Sequence, residues 1–290
     1  MLGDDFIKKK NFFIIVFILA FITFSIFIKP NSKNTSTYNN DFKVHYIDVG
    51  QGDSSLIQVN NKNILIDAGP YESKDYLINY LKNLNIKTLD YVIATHPHED
   101  HIGSMNSIIK TFNINNFLAP KVYHNTESFL SMVNELNKKS LKINIIKKGT
   151  DDFIDLGNNT KVYVFSPIKD TYDNLNNYSP IIKIVYGNTS FLFTGDAEED
   201  LEKEVLITNS NLSSNVLKIA HHGSSTSTTE NFLSAVSPNI SVISVGINNS
   251  YKHPSIKTLN LLEKYNIKYY RTDEDGTIII KSDGNNLYVE

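Results

Sequence analysis

One order of elements occurs twice along this 290-residue chain, and it leaves few folds open. In the first half, alternating apolar residues predict strands over 56–59 and 64–66, joined as a hairpin across Asn60-Asn61-Lys62-Asn63 and ending in Asp67-Ala68-Gly69. Helical spacing follows at Tyr76, Leu77, Tyr80, Leu81 and Leu84. A strand over 89–94 then runs into Thr95-His96-Pro97-His98-Glu99-Asp100-His101, with a helix over 104–112 and a short strand over 116–119 behind it. In the second half, strands over 181–186 and 190–193 flank Gly187-Asn188 and end in Thr194-Gly195-Asp196. A helix over 197–207 comes next, its leading Glu198, Glu199 and Asp200 suiting the positive helix N-terminus. A strand over 216–220 delivers His221-His222-Gly223, and a helix over 229–236 and a strand over 240–245 complete the repeat. Two such units bury their apolar faces by pairing sheets face to face with helices outside. The expectation is an α/β protein, a four-layer αββα sandwich of two similar halves.

In that arrangement each polar stretch lies just past the C-terminal end of a strand, so residues far apart in sequence meet at one edge. Asp67, His96, His98, Asp100, His101, Asp196 and one or both of His221 and His222 are therefore expected to converge on a metal site. Imidazole nitrogens and carboxylate oxygens suit zinc, or manganese where oxygen predominates. Pro97 disfavours helix across the first pair, which lets His96 and His98 face one side of a loop. Asp100 and His101 come one step later, placed to hold a second ion. Of the eight histidines in the chain, three fall within these six residues, which separates the stretch from an ordinary polar turn. The chain has no cysteine, so disulfides, zinc–thiolate sites and lipoprotein attachment are excluded, and any metal must be held by His and carboxylates. A net charge of −3 gives no global field toward nucleic acid or a membrane surface.

Residues 12–28 form an uncharged apolar run without Gly or Pro. As a helix it would extend roughly 26 Å, enough for a thin bilayer. Lys8, Lys9 and Lys10 precede it and favour a cytoplasmic N-terminus. Residues 1–29 thus read as a hydrophobic membrane-anchor helix or a signal segment, with no clear small-x-small cleavage site after the run. Residues 30–41 are polar and read as a linker, and residues 42–290 as the folded domain. That domain would lie outside the cytoplasm, anchored by a single span or secreted.

Other segments carry weaker signals. A helix over 129–136 and strands over 141–146 and 162–165 lie between the halves. Beyond them come Lys252-His253-Pro254-Ser255, a helix over 256–265, a strand over 268–270, a hairpin signal at Asp275-Gly276 and a closing strand over 277–281. Residues 42–48 alternate toward a first strand before a tight turn at Gly50-Gln51-Gly52-Asp53; His45 on that strand reads as structural and His124 as a loop residue. The run from Gly223 through Ser224 and Ser225 to Thr229 offers backbone N–H groups and hydroxyls before a helix, a seat for a phosphate oxygen or else a polar loop with an N-cap. His253 is placed to donate a proton to a leaving oxygen or to serve the turn it lies in. Arg271, the sole arginine, is a candidate for a substrate phosphate or for a salt bridge with Asp273.

The set His96-x-His98-x-Asp100-His101, with Asp67 before it and Asp196 and His221-His222-Gly223 after it, resembles the metallo-β-lactamase superfamily over essentially all of residues 42–290. His45-Tyr-Ile-Asp-Val-Gly-Gln-Gly-Asp-Ser54, Phe193-Thr-Gly-Asp196, the Leu217–Ser224 stretch and Tyr251-Lys-His-Pro-Ser255 are similar to the hydrolase domain of competence DNA-uptake channel proteins. In those proteins the domain accompanies a polytopic channel and is regarded as a nuclease. Here a single apolar run stands in place of the channel, so channel function is not carried over. The resemblance implies two divalent ions, zinc or manganese. His96 and His98 would hold one; Asp100, His101 and His221 or His222 the other; Asp196 would bridge them. Asp67 would orient a histidine from behind. A metal-activated water would be the nucleophile, with Asp100, Asp196 and His253 in the catalytic set. Most superfamily members supply a further histidine between the halves, whereas Asn176, Asn177 and Ser179 occupy that stretch here, and Asn176 and Ser179 are candidate substrate contacts. The implied activity is a phosphodiesterase or nuclease acting on a phosphodiester such as nucleic acid. Hydrolysis of a lactone, thioester or β-lactam, or metal binding without turnover, are the alternatives.

Overall fold

A computed structural model describes residues 42–290, and the apolar run and linker read from the sequence lie outside them. Among the described residues no helix is long and apolar enough to cross a membrane. The first half opens with β1 (Phe42–Tyr46), β2 (Ser55–Val59) and β3 (Lys62–Ile66), paired antiparallel. β4 (Thr88–Ile93), β5 (Asn113–Ala119) and β6 (Ile143–Ile145) then add in parallel, with α1 (Lys74–Asn83), α2 (Glu99–Ile102), α3 (Met105–Thr111) and α4 (Glu127–Lys138) between them. The second half repeats the plan. β7 (Thr160–Val164), β8 (Ile182–Tyr186) and β9 (Thr189–Phe193) are antiparallel, and β10 (Val216–Lys218), β11 (Ile240–Ile243) and β12 (Lys268–Arg271) follow in parallel. Its helices are α5 (Glu199–Leu206), α6 (Glu230–Val236) and α7 (Ile256–Lys264).

The chain then departs from the repeat. After a single turn, α8 (Thr272–Asp275), β13 (Ile278–Ser282) pairs antiparallel with β1, Val44 opposite Ile280, and β14 (Leu287–Val289) pairs with β13. The sheets are thus eight-stranded, in the order β14-β13-β1-β2-β3-β4-β5-β6, and six-stranded, β12-β11-β10-β9-β8-β7. Asp275-Gly276 is therefore no hairpin: the residues on its two sides belong to different sheets. The turn between β2 and β3 is also tighter than expected. Only Asn60 and Asn61 lie outside the strands, both with positive φ, which suits the right-handed twist of a two-residue hairpin.

Three apolar layers hold this together. Strand alternation sends Phe42, Val44, Tyr46, Ile57, Ile64 and Ile66 inward to meet Ile184, Phe191, Phe193 and Val242 of the facing sheet. Rings cross the gap directly, Phe42 to Phe191 at 4.7 Å and Tyr46 to Phe193 at 6.1 Å between centroids. The outer face of the first sheet is covered by Leu77 and Leu81 of α1, Met105, Ile108 and Ile109 of α3, and Phe129, Met132 and Leu136 of α4, each set at helical spacing. Leu201 and Val205 of α5, Phe232, Leu233 and Val236 of α6 and Leu262 of α7 cover the second. His45 points outward on β1, its Nδ1 2.8 Å from the Tyr80 hydroxyl on α1, the structural role expected for it. Helix–sheet–sheet–helix layering follows from these faces, and it brings the ends of β3, β4, β9 and β10 together.

Candidate metal centre

Asp67 leaves β3 in the left-handed region, φ 59°, a conformation aspartate tolerates. Its carboxylate accepts from the Thr95 amide at 2.8 Å and the Thr95 hydroxyl at 2.7 Å, and it lies 2.8 Å from His101 Nδ1. A carboxylate only accepts, so Nδ1 carries a proton and the opposite nitrogen, Nε2, is directed at Asp196, 3.2 Å away. His96 is buried, with Nδ1 3.1 Å from the Thr95 hydroxyl and 3.4 Å from that of Ser179, while its Nε2 is 3.0 Å from His98 Nδ1. His98 opens the single turn of α2, which raises Asp100 and His101 behind it.

From the other sheet, Gly195 (φ 50°) turns the chain so that Asp196 enters the gap. A side chain at Gly195 would meet the Ser179 hydroxyl at 2.9 Å. The Asp196 amide donates to that hydroxyl at 3.1 Å. Beyond β10, His221 and His222 both adopt left-handed backbone, φ 49° and 53°. Each such residue costs on the order of 1–2 kcal/mol, and the turn they make points both rings at the same carboxylate. His222 Nδ1 lies 2.9 Å from the Ser244 carbonyl, which fixes the proton there and frees Nε2, 3.2 Å from Asp100 and 3.6 Å from Asp196. His96 Nε2 and His221 Nε2 stand 3.8 and 3.7 Å from Asp196. Four imidazole nitrogens therefore surround one buried carboxylate.

The donor set fits divalent cations. Ligand atoms of Asp53, His101, Asp196 and His222 all lie within 4.8 Å of one another, every one of these residues buried. His101 Nε2, His222 Nε2, Asp196 Oδ1 and Asp53 Oδ1 have no well-aligned hydrogen-bond partner, which is costly unless something else compensates them. Electrostatics point the same way. Burial alone would lower His101, yet Asp196, Asp67 and Asp100 raise it well above its ordinary value. Burial alone would raise Asp196, yet His101, His222 and His96 hold it well below the usual carboxylate range. His96 is pushed well down by burial and by His101, which leaves a neutral ligand. A divalent cation held by these residues would supply the positive charge that the buried acids call for, and its binding would displace any proton on the ligand nitrogens.

The centre opens into a cleft of about 330 Å³ whose walls include His98, Asp100, Asp196, His221, His222 and His253. The expected ligands are all brought together here, with Asp67 behind them. His253 faces the cleft in a stack of rings, 6.4 Å from His222 and 5.7 Å from Tyr251. Burial, with His221 and His222 beside it, lowers it to about 4, so near neutral pH it is an uncharged imidazole and no store of a proton.

The candidate substrate contacts fare differently. Asn176 donates to Glu198 at 2.8 Å, and Ser179 is fully buried behind His96 and Asp196. The Thr228 and Thr229 amides donate to the buried Glu202 carboxylate at 2.6 and 2.8 Å, so the suggested phosphate seat already holds an internal anion. Ser224 accepts from the Thr226 amide, and Ser225, though exposed, lends its carbonyl to Lys257. Thr229 is the N-cap of α6. Arg271 forks onto Asp273 and Glu274 at 2.6 and 2.7 Å, the salt-bridge alternative.

Sequence reading missed Asp53, whose carboxylate accepts from buried Lys218, and Glu198, which turns from the α5 N-terminus toward His221 Nδ1 at 3.2 Å. Gln51, Glu99 and Tyr251 also line the cleft unannounced. A lysine in the apolar run Val216-Leu217-Lys218-Ile219-Ala220 was the one visible signal, since a buried lysine needs a nearby acid.

Histidines and carboxylates gathered where the strands of two facing sheets end define a metal centre of the kind that activates water for hydrolysis. The chain belongs to the metallo-β-lactamase superfamily, whose family model matches residues 47–247, and it is a metal-dependent hydrolase of that superfamily related to competence proteins. It is 31% identical over 275 residues to ComE operon protein 3 of Bacillus subtilis, covering 89% of this chain and 34% of that protein. It is 29% identical over 242 residues to competence protein ComA of Neisseria gonorrhoeae, covering 82% of this chain and 32% of that protein. The chain thus spans about a third of the length of these relatives. Among solved structures, the metallo-β-lactamase fold protein YhfI of Bacillus subtilis aligns with a TM-score of 0.55 at 13% identity, over 84% of this chain and all of that one, a likeness of fold.

Proposed function

We propose that this domain is a phosphodiesterase, with a nucleic acid strand as substrate, working with two zinc or manganese ions outside the cytoplasm. The observation that carries the reading is Asp196 surrounded by four imidazole nitrogens at the floor of an open cleft. Support for a phosphodiester comes from the relatives' names as competence proteins and from the sequence resemblance to their hydrolase domain. Bound ions would supply an activated water and neutralise charge on the transferred group. His96, His98, Asp196 and His221 or His222 would hold them together with Asp100 and His101, and Asp67 fixes the His101 ring. His253, as a neutral imidazole at the cleft wall, serves as a hydrogen-bonding group for the substrate. An extracytoplasmic, membrane-anchored placement rests on the lysines at 8–10 and the apolar run at 12–28.

Purified protein loaded with Mn²⁺ or Zn²⁺ is to be assayed against single-stranded DNA, a small phosphodiester, a lactone and nitrocefin. Cleavage of the two phosphodiesters, lost on chelation and on His98→Ala, is the expected result. Turnover of the lactone or nitrocefin alone would replace the reading with ester or lactam hydrolysis, and metal binding without turnover of any would reduce the domain to a binding module.

A further inference from the structure

His221 is partly exposed, its side chain at 22%, unlike the other imidazoles around Asp196, and a simple surface ion pair would explain its contact with Glu198. It would not explain the rest of the geometry. Nδ1 lies 3.2 Å from Glu198 Oε1 while Nε2 is turned the other way, 3.7 Å from Asp196 Oδ2. That oxygen is also the one approached by His96 Nε2 at 3.8 Å, and His96 Nε2 in turn sits 3.0 Å from His98 Nδ1. Nitrogen and oxygen ligands about 2.1 Å from one tetrahedral ion stand roughly 3.4 Å from each other. These separations scatter around that value. The left-handed backbone at His221, φ 49°, is what holds its ring on the inner side of the turn.

Glu198 is itself fixed. Asn174 Nδ2 donates to its Oε2 at 2.9 Å and Asn176 Nδ2 to its Oε1 at 2.8 Å, while its backbone amide donates to Asn177 Oδ1 at 3.0 Å. Asn174 Oδ1 also accepts from the Asn176 amide at 3.0 Å, which rigidifies the asparagine turn. A carboxylate held by two amides and presented to the rear nitrogen of an imidazole is the arrangement that fixes a metal-binding histidine in ring orientation and tautomer.

We infer that His221 is a ligand of the ion held by His96, His98 and Asp196, and that Glu198, clamped by Asn174 and Asn176, is the residue that positions it. Both histidines of the His221-His222 pair then bind metal, one for each ion, which deepens the metal-centre reading and does not depend on the substrate. The 174–178 turn, which contributes no histidine, takes part at one remove, through the side-chain amides of Asn174 and Asn176.

The test is zinc binding to the full chain, followed by titration calorimetry and metal analysis, with Co²⁺ absorption as a second readout. Wild type is expected to bind two ions. His221→Ala is expected to lose one of them, or to bind it at least 100-fold more weakly, and to change the visible spectrum of the Co²⁺ in that site alone. Glu198→Gln is expected to weaken the same ion about 10- to 100-fold with the fold unchanged by circular dichroism. Should His221→Ala not fold, Glu198→Gln decides the matter by itself. Two ions at wild-type affinity in both variants, or equal weakening of both ions, overturns the inference. Wild type that binds no ion overturns it together with the metal centre. Wild type that binds two ions but cleaves no phosphodiester sinks the proposed substrate and leaves this inference standing.

Discussion

Lys218, the last residue of β10, places its ammonium 2.5 Å from the carboxylate of Asp53, which lies between β1 and β2 of the opposite sheet, and both side chains are almost wholly buried. The pair ties the two halves together immediately beneath the metal centre. Lys218 also donates to the Ile219 carbonyl at 3.0 Å. Removing the ammonium leaves a buried carboxylate uncompensated beside other acids. Lys218→Met is expected to lower unfolding free energy by about 3–5 kcal/mol, and adding Asp53→Asn should recover much of that loss. Urea unfolding of the two single variants and the double variant checks the sign of the coupling; additive losses would show that the pair does not act as a unit.

Asp67 holds His101 from behind and touches nothing in the cleft. Asp67→Ala frees the His101 ring and breaks two bonds to Thr95. Metal affinity is expected to fall about 10- to 100-fold, measured by competition with a chelating dye. An unchanged affinity would mean that Thr95 and packing suffice to orient the ring.

Gly52 lies where the turn before β2 passes under α2. A Cβ there would stand 2.4 Å from the Asp100 carbonyl oxygen and 2.8 Å from Pro70 Cδ, both rigid neighbours. The Asp53 amide also donates to that carbonyl at 3.1 Å. Gly52→Ala is expected to push back the turn bearing Asp100 and His101, costing about 1–3 kcal/mol. Thermal unfolding should shift down by roughly 3–10 °C.

Acid sensitivity has a local source away from the metal. Burial beneath α1 lowers His45 from 6.5 to about 4. The folded state holds this ring neutral while the unfolded chain protonates it, so its contribution is full above pH 6.5 and is lost as pH falls toward 4. The difference of about 2.5 pH units corresponds to about 3 kcal/mol. Wild type should lose about that much more stability than His45→Gln between pH 7 and pH 4, read by urea unfolding at each pH.

The repeat and the inward alternation of Phe42, Val44 and Tyr46 were legible because they follow from short-range pattern: two-residue alternation for strands, helical spacing for their covers. The metal ligands were legible because each group of them follows closely on the end of a strand. Asp53, Glu198 and the asparagine turn were not, because their roles come from partners distant in sequence, across the two halves for Asp53 and more than twenty residues away for Glu198. Asp53 and Lys218 are 165 residues apart, and nothing near Asp53 distinguishes it from an ordinary turn acid. Glu198, read as a helix-terminus charge, had that role locally available and lost it to a nearer imidazole. The Gly223–Thr229 seat failed for the same reason, since Glu202, 26 residues from Thr228, already takes its amides. β14 was too short to leave a periodic signal.

The return of β13 to β1 makes the first sheet a product of both ends of the domain. During synthesis the strands that carry Asp67 and lead to His96 emerge early, yet β1 keeps an open edge until the last of the domain has left the ribosome. Closure across more than two hundred residues is a non-local pairing, of the kind that slows folding. Until then the free N–H and C=O groups of β1 form an unpaired edge, the kind that recruits other strands, so a chain cut short before β13 would expose it.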